Sequence, residues 1–273
     1  MSERRLFVPG ERLGGPRLML TGAEHRHIGL VLRARPGDTV TLFDGAGGEV
    51  EAEVVRVERT ETELALGERR AVAGPAVSLT LLCAVPRGPR MDFLVQKTSE
   101  LGVARIVPIV TERSVVRPDA EGANGKRARW EKIAREAARQ CGRADLPIVA
   151  PPIALAEALA GSALPTRRLA LFAWTELGSD ERSSSRQGVG TLAGSPRLVE
   201  GEKARPLRAA LAGAEPAATA LLVGPEGGFA PAELAVAQAA GFEAVGLGER
   251  ILRVETAAIV AVALVASAYG MLD

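Results

Sequence analysis

Beyond Ala76 the sequence alternates short apolar runs with helical stretches, and that alternation leaves few architectures open. The runs "VSLTLLCAV", "RIVPIV", "RLALFAW", "TALLVG" and "EAVGLG" read as strands. Between them, Pro89 to Leu101, Lys126 to Cys141 and Pro231 to Ala240 read as helices, the last with proline near its start and Gly241 just past its end. Strands separated by helices imply a mostly parallel sheet with helices on both faces. The class is therefore α/β.

The first 70 residues follow a different rule. Segments such as "DTVTLFDG" and "GEVEAEVVRVERTETELAL" alternate apolar and polar residues, broken by Pro36-Gly37-Asp38 and Gly45-Ala46-Gly47-Gly48. Period-two alternation with glycine turns predicts a small antiparallel barrel. The stretch "AVAGPA", Ala71 to Ala76, is the natural boundary, so residues 1–72 form one expected domain and 73–273 the other. A chain of 273 residues has room for both. The segment from Gly178 to Pro206 is rich in Gly, Ser and charge and reads as a mobile surface insertion.

Net charge is only +1, which singles out no partner, but its distribution is uneven. Residues 1–35 hold seven Arg against three acids, and Arg87 to Arg143 hold thirteen basic residues against seven acidic ones. From Arg205 onward acids outnumber bases seven to four. The two basic segments could merge into a phosphate-binding face, the alternative being an ordinary solvated helix surface. Cys83 and Cys141 form no metal-binding or disulfide spacing, and His25 and His27 lack companion ligands, so no metal site is expected. The start of the chain has no long apolar segment, and the longest uncharged one, Thr256 to Tyr269, is shorter than the ~20 residues of a membrane span. A cytoplasmic protein without membrane contact is the expectation.

Three strand ends carry the chemistry: Phe172-Ala173-Trp174, Gly224-Pro225-Glu226-Gly227-Gly228, and Leu247 to Thr256. Ligands of open α/β sheets sit outside the carboxyl ends of strands, so these loops are placed to form one pocket. Gly228 is followed by Phe229 rather than lysine, which excludes a P-loop, and "GVGTLAG" and "GLGERI" do not complete a dinucleotide fingerprint. Glycines let the main chain approach a flat ring, with Ile251 and Leu252 as apolar cover. A neutral or cationic nucleoside-like ligand fits better than a triphosphate.

The segments "EHRHIGLVLRARPGD", "KTSELGV", "TERS", "RWEKIAREAARQCGR", "GPEGG" and "LGERILRVETA", in this order and spacing, resemble the RsmE family of 16S rRNA (uracil-N3)-methyltransferases, of the SPOUT class, over nearly the whole chain. The resemblance implies a PUA-like N-terminal barrel that binds RNA, a SPOUT α/β domain with a C-terminal trefoil knot, and S-adenosylmethionine as methyl donor. It also implies a homodimer and 16S rRNA of the 30S subunit as substrate. Under it, the cofactor-binding residues are Phe172, Val223, Gly224, Glu226, Gly228, Leu247, Gly248, Ile251, Leu252 and Thr256. The insertion at 178–206 and "FAWTE" depart from the family's pattern at that edge of the pocket.

Direct transfer needs the uracil nitrogen held in line with the methyl carbon, and the N3 proton must leave. Arg253 and Glu255 are the catalytic candidates, for stabilising the deprotonated ring and for accepting or positioning the proton. The structural alternative pairs Arg253 with Glu226 and makes Glu255 and Thr256 the acidic first turn of the last helix. Expected RNA contacts are His25, Arg33, Arg87, Arg90, Arg113, Gln140 and Arg143, whereas Trp130 shares a helix face with Ile133 and Ala137 and reads as core. Two rivals stand beside this reading: a non-catalytic RNA-binding or ribosome assembly factor, and a SPOUT methyltransferase acting on another nucleotide. The last helix is apolar nearly all round, so it is either central to its domain or half of a subunit interface.

Overall fold

The computed structural model describes residues 4–117, 119–161, 164–171 and 204–272, apart from the side chains of Leu30 and Ala120. Phe172, Trp174 and most of the 178–206 insertion lie outside the described residues. Two compact units emerge. One comprises Met1–Pro75 together with Ala134–Leu146, and the other Ala76–Ile133 together with Pro147–Asp273.

In the first unit, β1 (Arg5–Phe7), β2 (Arg17–Thr21), a short helix α1 (Gly22–Arg26) that widens into a turn over His27–Val31, β3 (Thr39–Phe43), β4 (Gly48–Val57) and β5 (Glu61–Ala71) follow in order. The sheet runs β1-β3-β4-β5-β2. Three pairings are antiparallel, as period-two alternation requires, but β1 lies parallel to β3. The wholly antiparallel barrel expected from the sequence is corrected there: Leu6 and Val8 bury beside Val40 and Leu42 in one core. Three residues of β1 are too few to show a periodicity.

Residues 134–146 belong to this unit through both main-chain and apolar contacts. Gly47 N–H donates to the Ala144 carbonyl (3.2 Å) and Leu146 N–H to the Gly45 carbonyl (2.9 Å). Ala138 and Ala144 pack with Phe43 in a satellite core, and the Arg135 guanidinium stacks 4.5 Å from the Phe7 ring centroid. Below them the buried Arg5 Nη2 sits 2.5 Å from Glu49 Oε1.

The second unit contains β6 (Leu79–Ala84), α2 (Arg90–Glu100), β7 (Arg105–Val110), the first part of α3 (Ala120–Cys141), β8 (Ile148–Val149), β9 (Ile153–Ala154), α4 (Leu155–Ala160), β10 (Arg167–Leu171), β11 (Arg205–Pro206), α5 (Leu207–Leu211), β12 (Thr219–Val223), α6 (Pro231–Ala239), β13 (Glu243–Gly246) and α7 (Val254–Ala268). Its sheet runs β11-β13-β10-β12-β6-β7-β8, with β9 also pairing β7, and every pair is parallel. β6 and β12 lie at its centre and are buried at every position, which is why they read as unbroken apolar runs. Leu82 and Leu222 point to the face where α4 and α6 contribute Leu155, Leu159, Leu234 and Ala237. α7 covers β6 and β12 and packs against α2. Each fully buried Leu contributes about 1.5–3 kcal/mol relative to an exposed one.

Candidate active site

Register fixes where the site can be. Leu171 of β10 pairs with both Val223 of β12 and Val245 of β13, so the loops that follow leave one carboxyl edge side by side. Between the loop after β12 and the loop after β13 lies a cleft of about 640 Å³, counting its open mouth. Val223, Gly224, Glu226, Gly228, Leu247, Gly248, Ile251 and Leu252, all expected to face a cofactor, line it. Thr256 is exposed and lies off the wall.

Residues that sequence reasoning missed complete the wall: Leu171, Pro225, Phe229, Arg250, Val254 and Ala257. Leu171 and Phe229 directly adjoin expected positions, and Ala257 falls one helical step beyond Val254. For all of them but Arg250, apolar character was the available signal. Glu226 and Arg250 are the charged side chains on the wall among the described residues. Such a lining suits a flat, largely uncharged ring system and offers no phosphate clamp.

The glycine loop is shaped by close approach. A Cβ on Gly224 would lie 2.7 Å from Cε2 of the buried Phe229, so this position admits only glycine without displacing the ring. Gly228 turns at φ +70° and donates its N–H to the Pro225 carbonyl (2.9 Å), closing the loop before α6 begins. Glu233, in the first turn of α6, accepts the Ala230 N–H (2.8 Å) through one oxygen and the Glu112 N–H (2.8 Å) through the other. One carboxylate therefore ties the helix start to the loop after β7.

Two arginines expected at an RNA surface also brace this loop. Arg113 Nη1 donates to the Gly227 carbonyl (2.8 Å). Arg90 Nη1 reaches Glu226 Oε1 (3.4 Å), and its Nε lies 3.7 Å from Glu255 Oε1. Arg90, not Arg253, is thus the partner of Glu226. Arg253 is exposed at the N-cap of α7, its side chain without an ion pair among the described residues. Glu255 is 8 % exposed in the first turn of α7, and its buried Oε2 has no hydrogen-bond partner among the described residues. Beneath this cluster, burial and the nearby Glu226 and Glu255 charges push the Cys83 thiol far up.

The remaining RNA candidates separate by exposure. Arg87, Arg33 and Gln140 are exposed, and Arg33 holds a left-handed φ of +50°. Arg143 is half-buried, with Nη2 2.6 Å from Asp145 Oδ2. His25 corrects the surface position expected for it: its ring is buried, with Nδ1 2.9 Å from Thr62 Oγ1 and Nε2 3.3 Å from the Arg59 carbonyl, and both contacts tie α1 to the strand hairpin. Trp130 is buried, as its helix spacing indicated. No group of three or more His, Cys, Asp or Glu able to hold a metal occurs among the described residues.

Residues 74–266 match the RNA methyltransferase domain family, and residues 20–64 the RNA methyltransferase PUA domain family. The chain is 32 % identical to the ribosomal RNA small subunit methyltransferase E of Synechocystis, over 95 % of this chain and 76 % of that protein. The solved structure of a Neisseria gonorrhoeae ribosomal RNA small subunit methyltransferase E bound to S-adenosyl methionine aligns with a TM-score of 0.74 and 30 % identity, covering 98 % of both chains. A Legionella pneumophila methyltransferase structure in complex with the bound cofactor SAM aligns with a TM-score of 0.77 and 30 % identity, over 98 % of this chain and 99 % of that one. A PUA-like N-terminal unit, a parallel-sheet methyltransferase unit and matches spanning both place the chain in the RsmE family of small-subunit rRNA methyltransferases.

Proposed function

We propose that this chain transfers a methyl group from S-adenosylmethionine to N3 of one uridine in 16S rRNA, with the 30S subunit as substrate. The observation that carries the reading is the cleft beside Gly224 and Leu252, walled by main chain and apolar side chains at the carboxyl edge of the sheet, in a chain of this family. Its walls fit the donor: Leu171, Val223, Phe229 and Leu252 provide apolar cover, the Gly224 main chain allows close approach, and Glu226 supplies a carboxylate for a cationic group. When bound, the sulfonium supplies a methyl carbon that is already electrophilic.

What the protein adds is geometry and charge. Holding the uracil nitrogen in line removes the entropic cost of the encounter. Glu255, in the first turn of α7, is proposed to accept or position the N3 proton, and Arg253, exposed at the N-cap beside it, to stabilise the ring as it loses that proton. Arg33, Arg87, Arg90, Arg113, Gln140 and Arg143 are proposed contacts for the RNA, which fits recognition of a splayed single-stranded base. His25 is left out of this set because its ring is buried.

The family also supports a trefoil knot at the C-terminus, a homodimer and a cytoplasmic location. For the dimer, Phe93 on α2 is 50 % exposed and Leu264 on α7 is 38 % exposed, on helices that pack together. For the location, no described helix is long and apolar enough to cross a membrane.

The test is to incubate the protein with radiolabelled S-adenosylmethionine and 30S subunits lacking the modification, then digest the rRNA to nucleosides. Label in 3-methyluridine supports the proposal. Label on a ribose or on another base redirects it to a different nucleotide, and donor binding without transfer favours a non-catalytic assembly factor.

A further inference from the structure

A second cavity of the methyltransferase unit opens at the same edge of the sheet. Val223 of β12 pairs with Cys83 of β6, and Cys83 with Pro108 of β7, so the ends of these strands stand in line. The cleft described above lies beyond β10, β12 and β13, whereas the second cavity lies beyond β6 and β7. It encloses about 740 Å³, counting its mouth, between the loop after β6, the start of α2, Val116, and the first part of α3. α2 serves both sites: Arg90 pairs with Glu226 and Glu255 of the first, and Asp92 lines the second.

The walls of this cavity combine three kinds of group. Pro86, Pro89 and Val116 form an apolar part. Asp92 is held by Trp130 Nε1 (3.2 Å) and Arg129 Nε (3.1 Å) on its Oδ1 and by Arg129 Nη2 on its Oδ2, so its carboxylate is fixed in place. Lys126 lines the cavity half-buried, and its ammonium has no ion pair or hydrogen bond among the described residues. An ammonium on a cavity wall with no carboxylate partner is placed to take a phosphate oxygen. No catalytic or cofactor role described above uses this group.

We propose that this cavity seats one nucleotide of the RNA substrate flanking the base to be methylated. Lys126 takes the phosphate, the proline rings and Val116 receive the flat face of the base, and Asp92 is placed to accept a hydrogen bond from a ribose 2′-OH, the group that separates RNA from DNA. The two adjoining sites would then hold donor and substrate strand at one sheet edge, as transfer requires. This inference rests on the chain acting as an rRNA methyltransferase.

The test compares Lys126→Glu, Lys126→Arg and, as a surface-charge control, Lys132→Glu, an exposed residue of the same helix outside the cavity. Donor affinity is measured by calorimetry, and KM for unmodified 30S subunits by methyl transfer. Lys126→Glu is expected to raise KM about tenfold or more, as for a lost charge-assisted contact, with donor affinity and melting temperature unchanged. Lys126→Arg should recover most of the loss, and Lys132→Glu should have a much smaller effect. An unchanged KM in Lys126→Glu, or equal effects at 126 and 132, overturns the cavity assignment while leaving the methyltransferase reading intact. Absence of transfer by the wild-type protein would overturn both.

Discussion

At Gly224 a single hydrogen leaves the room that the Phe229 ring occupies. Gly224→Ala must push against the Phe229 ring, and overpacking of this kind costs about 1–3 kcal/mol. We expect affinity for S-adenosylmethionine to fall about tenfold or more by calorimetry, whereas an unchanged affinity would move the donor site elsewhere. The two thiols should behave oppositely. Cys83 is buried and its pKa is raised, so it holds its proton at neutral pH, whereas Cys141 is exposed. A thiol reagent should titrate one group per native chain and two after denaturation. Asp44 gives a pH signature. Burial alone would raise its carboxyl pKa, but the amides of Gly48 and Ala46 and the Arg69 guanidinium outweigh it, and the net shift is downward. Its stabilisation is therefore complete above the unfolded value of about 4 and is lost as pH falls through the lower folded value. Asp44→Asn should flatten the acid limb of a denaturation profile measured between pH 5 and 2. Gly224 and Leu252 were legible because strand, glycine turn and helix follow one another in sequence. The work of Arg90 and Arg113 was not, since their partners lie more than a hundred positions away and only folding reveals them.

At the scale of elements, legibility followed periodicity and burial. "RIVPIV" became β7 without a shift of either end, and β6 and β12 were plain because a strand covered on both faces must be apolar throughout. α3 starts at Ala120, six residues before the expected Lys126, because two glycines in "AEGANG" masked a helix whose first turn Asp119 caps, its Oδ1 accepting the Gly122 N–H at 2.8 Å. The short β8, β9 and β11 carry too few residues for any pattern. The loop after β7 is where an element-level experiment bites. Arg113→Ala removes the donor to the Gly227 carbonyl and should loosen the glycine loop, weakening donor binding by about 1 kcal/mol with little change in melting temperature. If Arg113 instead served only RNA, KM for the 30S subunit would rise while donor affinity held.

For the whole molecule, the sequence boundary at residue 72 was drawn from composition, and composition cannot show that residues 134–146 return to the first unit. That return is made by backbone hydrogen bonds at Gly45 and Gly47 and by small alanines, none of which leaves a local pattern. The buried Arg5–Glu49 pair lies in the same unit, and removing one partner of such a pair costs about 3–5 kcal/mol. Glu49→Ala should lower the chemical denaturation midpoint of that unit accordingly, whereas a change under about 1 kcal/mol would show the pair to be dispensable. The borrowed helix end also bears on biosynthesis. Domains near the start of a chain commonly fold first as they leave the ribosome, but here the earliest-made sheet lacks its closing piece until Leu146 has been translated, so its completion is deferred until Ala76–Ile133 of the other unit has already emerged.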